Sequence, residues 1–158
     1  MTDTNEIKRQ MAFYFFFAVC MIILNYFIQK INQIILYPLI CNSLGSIELI
    51  QLLYCSTTPN MSELMGSILA VGITYIIKFF LDKYIVFRKK GSKLKDTSKE
   101  FFKYFIFAIL TTIENVGIQF ILTNFLAFQL ELSFLIALSI GYVTKFFLDR
   151  KYVFNQYY

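Results

Sequence analysis

One ten-residue ending, written twice, constrains this chain more than any other feature. Lys78-Phe79-Phe80-Leu81-Asp82-Lys83-Tyr84-Ile85-Val86-Phe87 closes one long apolar run. It returns 67 residues later as Lys145-Phe146-Phe147-Leu148-Asp149-Arg150-Lys151-Tyr152-Val153-Phe154, with seven of ten positions identical. Lys83 becomes Arg150, which keeps the charge, and Ala70 and Tyr75 recur as Ala137 and Tyr142 at the same offset. Lysine and aspartate four residues apart lie on one face of a helix. Ionisable groups inside a bilayer are costly, so a pair written twice indicates use.

The surrounding runs define the class. Hydrophobic residues make up 58% of the 158, and long stretches carry almost no charge; such runs are read as membrane spans. A small spanning chain must close its backbone hydrogen bonds within each helix, so the expectation is an all-α integral membrane protein. A β-barrel would read as short alternating strands, which are absent from the pattern. The net charge of +5 sits at the ends of the apolar runs, where it sets topology, and no nucleic-acid partner is expected. The chain has no histidine, which removes the usual general base and the commonest metal ligand. Cys20, Cys41 and Cys55 lack metal-ligand spacing. No metal, cofactor or nucleophile–base pair is expected, and the chain reads as a non-enzyme. The first apolar run is too long for a cleaved signal peptide and lacks a small-residue cleavage site, so it reads as the first span.

Four spans are expected, at about residues 11–28, 64–81, 104–128 and 132–148, within one domain covering 1–158. Residues 29–63 hold apolar pieces too short to cross, punctuated by Pro38, Asn42, Gly45 and Pro59. They read as an extracytoplasmic insertion lying partly in the interface; a fifth crossing is the competing reading. Lys8 and Arg9 precede span one, eight cations fill the loop 83–103, and Arg150 and Lys151 follow span four, whereas the other side offers Lys30 alone. The positive-inside rule therefore places both termini in the cytoplasm.

The repeat extends to both halves. Asn25 and Gln29 in span one match Asn115 and Gln119 in span three at an offset of 90. The chain then reads as a duplicated two-helix hairpin whose copies share one orientation, with the insertion in the first hairpin. The doubled endings would meet on the cytoplasmic face.

Asp82 and Asp149 sit near helix C-termini, where the dipole disfavours an anion. Each needs a partner: the lysine one turn back, its basic neighbour, or a group from the other repeat. A structural ion pair and an anion-binding vestibule are both open. Glu114, near the middle of span three beside Asn115, is either a membrane-buried acid that is protonated or hydrogen-bonded to Thr111 or a neighbouring helix, or part of a polar path. Leu24 occupies its equivalent at the 90 offset. Tyr84, Phe87, Tyr152, Phe154, Tyr157 and Tyr158 sit where an interfacial aromatic belt is expected. A disulfide between Cys41 and Cys55 is open on an oxidising side.

The doubled ending resembles the signature of the GtrA-like family of small four-span membrane proteins: a polar residue or lysine, Phe, two variable residues, Asn or Asp, a cation, then an aromatic and a final Phe. Lys78-Phe79, Asp82-Lys83 and Phe87 fit it, as do Lys145-Phe146, Asp149-Arg150 and Phe154. The resemblance covers about residues 8–154. Many members have Asn where this chain has Asp82 and Asp149, and the long insertion is atypical.

The resemblance implies a role in cell-surface polysaccharide or glycolipid synthesis at the cytoplasmic membrane. Its implied partner is a polyprenyl-phosphate-linked sugar, moved or helped across the bilayer. On that expectation Lys78, Lys83, Lys145 and Arg150 meet the phosphate and Asp82 and Asp149 orient them. Glu114 and Asn115 line a polar path. Membrane lipids surround the chain, and a homo-oligomer is open because four spans enclose little volume. The alternative is an anchor or scaffold that recruits a glycosyltransferase through the basic loop. A proton-coupled exporter fits less well, since its expected acid lies in the first span.

Overall fold

The computed structural model describes residues 2–57, 61–89 and 93–154. Among the described residues the chain is helical, with no strand. Six α-helices follow in order: α1 Thr2–Ile31, α2 Tyr37–Leu44, α3 Glu48–Ile50, α4 Met61–Leu81, α5 Leu94–Asn124 and α6 Leu130–Leu148. Widened π-helical turns follow α1, α3, α4 and α6. Among these residues four helical stretches are long and apolar enough to cross a membrane: Thr4–Leu44, Met61–Val86, Leu94–Asn124 and Leu130–Val153. The protein is thus an all-α, multi-pass membrane protein. Phe16, Ile22, Ile34, Leu69, Ile113 and Leu135 are all more than half exposed. In a soluble protein such surface would drive aggregation, whereas lipid tails cover it at no cost.

The first helical stretch differs from the expectation. Pro38 was read as a break, yet the chain stays helical through it to Leu44. The π-helical turn Asn32–Leu36 precedes it, and Pro38 falls in the first turn of α2, where a missing N–H costs little. The 41 residues of this stretch would reach about 60 Å, twice the hydrocarbon thickness of about 30 Å. Its second half therefore belongs to the insertion. No fifth helix long enough to cross exists among the described residues. Pro59 lies outside them. The other boundaries shift less: α4 begins at Met61, α6 at Leu130, and α5 runs from Leu94 to Asn124. The stretch read as a basic loop over 83–103 is thus helical from Leu94 onward.

The helices fall into two compact units. One comprises residues 16–80, the body of α1 with the insertion and α4. In it a disulfide joins Cys41 to Cys55, realising the pairing left open above. Asn32, 4% exposed, donates from its amide to the Ser62 carbonyl at 2.9 Å and accepts from the Tyr54 hydroxyl. Tyr37 and Tyr54 pack ring to ring at 6.3 Å. Burial raises the Tyr54 phenol above its ordinary pKa, while its hydrogen bond to Asn32 pulls the other way. The phenol therefore stays a donor at neutral pH.

The other unit contains the start of α1, residues 81–89, and the α5–α6 hairpin. Ser133, Ala137 and Gly141 form a buried stripe of small residues along α6, the device by which membrane helices approach closely. A Cβ added at Gly141 would stand 3.5 Å from the Asn115 Cβ and 3.5 Å from the Thr111 carbonyl oxygen. One methyl therefore fits and a longer side chain does not. Gly141→Ala should leave the thermal unfolding midpoint in detergent unchanged. Gly141→Leu should lower it by several degrees, from overpacking worth about 1–3 kcal/mol.

Candidate functional site: a charged knot

The two endings that opened the sequence reading meet inside the second unit. Asp82–Val86 and Asp149–Val153 are both π-helical turns. In each, the next phenylalanine N–H donates back five residues: Phe87 to Asp82 at 2.8 Å and Phe154 to Asp149 at 2.9 Å. Phe87 and Phe154 then stack, with ring centroids 4.6 Å apart and planes 22° apart. Both are 1% exposed, so they form the contact between the endings and leave the aromatic belt expected above. Tyr84 and Tyr152 are half-exposed. Tyr157 and Tyr158 lie outside the described residues.

Asp82 and Asp149 are fully buried. Each receives a tyrosine hydroxyl from a different helix: Tyr104 of α5 donates to Asp82 at 2.8 Å, and Tyr14 of α1 donates to Asp149 at 2.8 Å. These tyrosines were missed in the sequence reading. Their signal was present, because Tyr14 and Tyr104 are 90 residues apart, the offset already found between Asn25 and Asn115. Phe15, Phe17 and Ala18 also recur at that offset as Phe105, Phe107 and Ala108. The exchange is crossed: the first ending takes its tyrosine from the third span, the last ending from the first.

Lys145 ties the two halves of this network. Its ammonium bonds both Asp149 oxygens, at 2.8 and 3.0 Å, so the lysine one turn back is the partner of Asp149 among those left open above. It also stands 3.7 Å from the centre of the Tyr104 ring, a cation–π contact, and reaches the Tyr104 carbonyl at 3.4 Å. Hydrogen bonds and ring contact thus run without a gap from Tyr14 through Asp149, Lys145 and Tyr104 to Asp82. Lys78, in the last turn of α4, is half-buried.

Lys83 and Arg150 are deeper than a lipid-facing role would place them, at 0% and 6% exposure. Lys83 pairs with Glu100 at 2.8 Å and donates to the Thr97 hydroxyl at 2.6 Å. Lys89 reaches the other Glu100 oxygen at 2.7 Å. Glu100 was also missed; its equivalent at the 90 offset is Gln10, likewise buried. At this end Lys83, Lys89, Lys145 and Arg150 are gathered with three buried carboxylates, Asp82, Glu100 and Asp149. Lys93, Lys95, Lys99 and Lys103 point outward as an exposed basic face.

Midway along α5, Glu114 accepts a hydrogen bond from Thr144 of α6 at 3.0 Å, which is the neighbouring-helix bond left open above. Asn115 adjoins Gly141, and its side-chain oxygen is buried with no hydrogen-bond partner among the described residues. The two polar groups therefore sit at one level of the α5–α6 interface.

This architecture defines a four-span membrane protein with a buried charged network where its doubled endings meet. The sequence model of the GtrA/DPMS transmembrane domain matches residues 39–154, and the chain belongs to that family. No curated protein and no solved structure matches the chain. Membership ties the protein to glycosyl-lipid-related polysaccharide synthesis and to a domain that is typically non-catalytic by itself.

Removing one member of a buried pair leaves a desolvated charge, whereas removing both does not. Lys83→Met is expected to destabilise the protein by about 3–5 kcal/mol, and Lys83→Met with Glu100→Leu to recover most of that loss. Tyr104→Phe and Tyr14→Phe should each cost about 1–3 kcal/mol, because each takes a donor from a buried carboxylate. Equilibrium unfolding of the purified protein in micelles measures all four.

Proposed function

We propose that the protein carries, or helps to carry, a polyprenyl-phosphate-linked sugar across the cytoplasmic membrane. The observation that carries this reading is the charged knot, cations and carboxylates gathered where the doubled endings meet. A lipid phosphate needs cations at the membrane edge, and its chain needs lipid beside them. Lys78, half-buried, and Lys145, whose side chain is 12% exposed, are the cations assigned to the phosphate. Lys83 and Arg150 are the inner cations that set the positive field, and arginine adds a bidentate fork if the phosphate moves inward. Asp82 and Asp149, each fixed by a tyrosine, orient the ammonium groups. Glu114 and Asn115 give the sugar a polar step part-way along the α5–α6 interface.

The orientation in this proposal has both termini in the cytoplasm and the chain as a duplicated hairpin. The exposed lysines of α5 support the first, by the positive-inside rule. The Cys41–Cys55 disulfide supports it independently, since such bonds persist on the oxidising side. The matched π-helical turns and the crossed tyrosines support the second.

The anchor reading rests on the exposed basic face of α5, and one experiment separates the two. In proteoliposomes holding a fluorescent polyprenyl-phosphate-linked sugar, Lys78→Ala with Lys145→Ala should slow transbilayer movement at least tenfold. Reversing Lys95 and Lys99 to glutamate should leave it unchanged. Unchanged movement in the first variant, with loss of glycosyltransferase co-purification in the second, would decide for the anchor. A single cysteine placed at Lys99 should react with an impermeant maleimide only from the cytoplasmic side.

A further inference from the structure

The unit formed by residues 16–80 contains a polar cup that the charged knot does not account for. Its cavity of about 260 Å³ is lined by Tyr26, Gln29, Lys30 and Gln33 on one wall and by Glu63 and Gly66 on the other, with Asn32 and Ser62 at its base. On α4 the cup lies about three turns, roughly 18 Å, before Lys78. The atypical insertion builds part of it, since Asn32 is held by Tyr54. The Cys41–Cys55 bond closes the segment from which Tyr54 comes.

The cup is built to hold one side chain in place. Asn32 is 4% exposed, with its amide nitrogen on the Ser62 carbonyl and its amide oxygen on Tyr54. Gly66 makes room for it: a Cβ there would stand 2.3 Å from the Asn32 amide nitrogen and 2.8 Å from its carbonyl-bearing carbon. Gln29 is held one turn from its base by a 2.6 Å bond to Asn25. Tyr26, 60% exposed, offers a ring face with the Lys30 ammonium 5.9 Å from its centre.

The lining chemistry selects a ligand class. Lys30 and Glu63 bring one charge of each sign, so the cup has no net charge with which to draw a phosphate. Two glutamines supply donors and acceptors together, which is what sugar hydroxyls require. An exposed tyrosine ring suits the C–H face of a pyranose. The volume lies below the range of about 300–1,000 Å³ usual for drug-sized ligands, and one sugar ring fills it. We propose that this cup is a monosaccharide-binding site, distinct from the charged knot and independent of it.

A free sugar and a lipid-borne sugar present the same hydroxyls, and the test separates them. The full chain in nanodiscs is titrated with methyl glycosides of glucose, galactose, mannose, rhamnose, N-acetylglucosamine and glucuronic acid. Saturation-transfer difference NMR reads the binding. At least one glycoside should give a clear signal, and Gln33→Ala should reduce it at least fivefold. Gln33 is exposed on the cup wall, so the variant is expected to fold. Gly66→Ala, which crowds Asn32, should have the same effect where the protein still elutes as the wild type does. Adding the responding sugar on a polyprenyl phosphate should displace the glycoside if the source is lipid-borne. Without displacement the source is a soluble glycan, and the site stands in either case. No signal from any glycoside, or equal signals from wild type and Gln33→Ala, would overturn the proposal. Neither result bears on transport through Lys78 and Lys145, because the readout involves no phosphate and no crossing.

Discussion

Two fully buried carboxylates, at the helix ends least suited to receive them, set the terms for everything around them. The helix dipole opposes an anion at a C-terminus, and desolvation of a charge costs several kcal/mol unless partners compensate. This protein answers with tyrosines. A phenol brings a donor to the carboxylate while its ring remains at home among apolar neighbours. Tyr14 packs against Phe146 and Phe87 while bonding Asp149. Tyr104 presents its ring to Lys145 and Phe154 and its hydroxyl to Asp82. One residue type thus satisfies both the hydrogen bond and the packing.

The same arrangement commits the cations. Lys145 has its ammonium shared between a carboxylate, a carbonyl and a ring, and Lys83 is enclosed by Glu100 and Thr97. Lys83, held this firmly, contributes field more than reach. The distinction between an inner pair, Lys83 and Arg150, and an outer pair, Lys78 and Lys145, follows from burial and could not be drawn from charge alone.

The doubled burial pattern shows how sequence identity understates structural equivalence. Gly66, Ala70 and Thr74 are buried along α4, and Ser133, Ala137 and Gly141, each 67 residues on, are buried along α6. Only the alanines are identical. What persists is smallness, the property that close helix approach requires. Lys83 and Arg150 preserve charge in the same way, and Glu100 and Gln10 preserve length and polarity. A search for identical letters finds the endings, the alanines and the paired tyrosines, and passes over the rest of the stripe.

Hydropathy and charge along the chain by themselves determined the class, the number of crossings and the place of the costly groups. Those follow from the cost of exposing backbone and charge to hydrocarbon, which is paid residue by residue and so is written locally. The Lys145–Asp149 pair was legible for the same reason, since four residues make one helical turn. Tertiary structure alone decided which tyrosine meets which aspartate, that Phe87 leaves the membrane edge to stack on Phe154, and that the helix passes through Pro38. Partners drawn from 22 and 135 residues away depend on how helices pack, and helical periodicity carries no information about a neighbour on another helix.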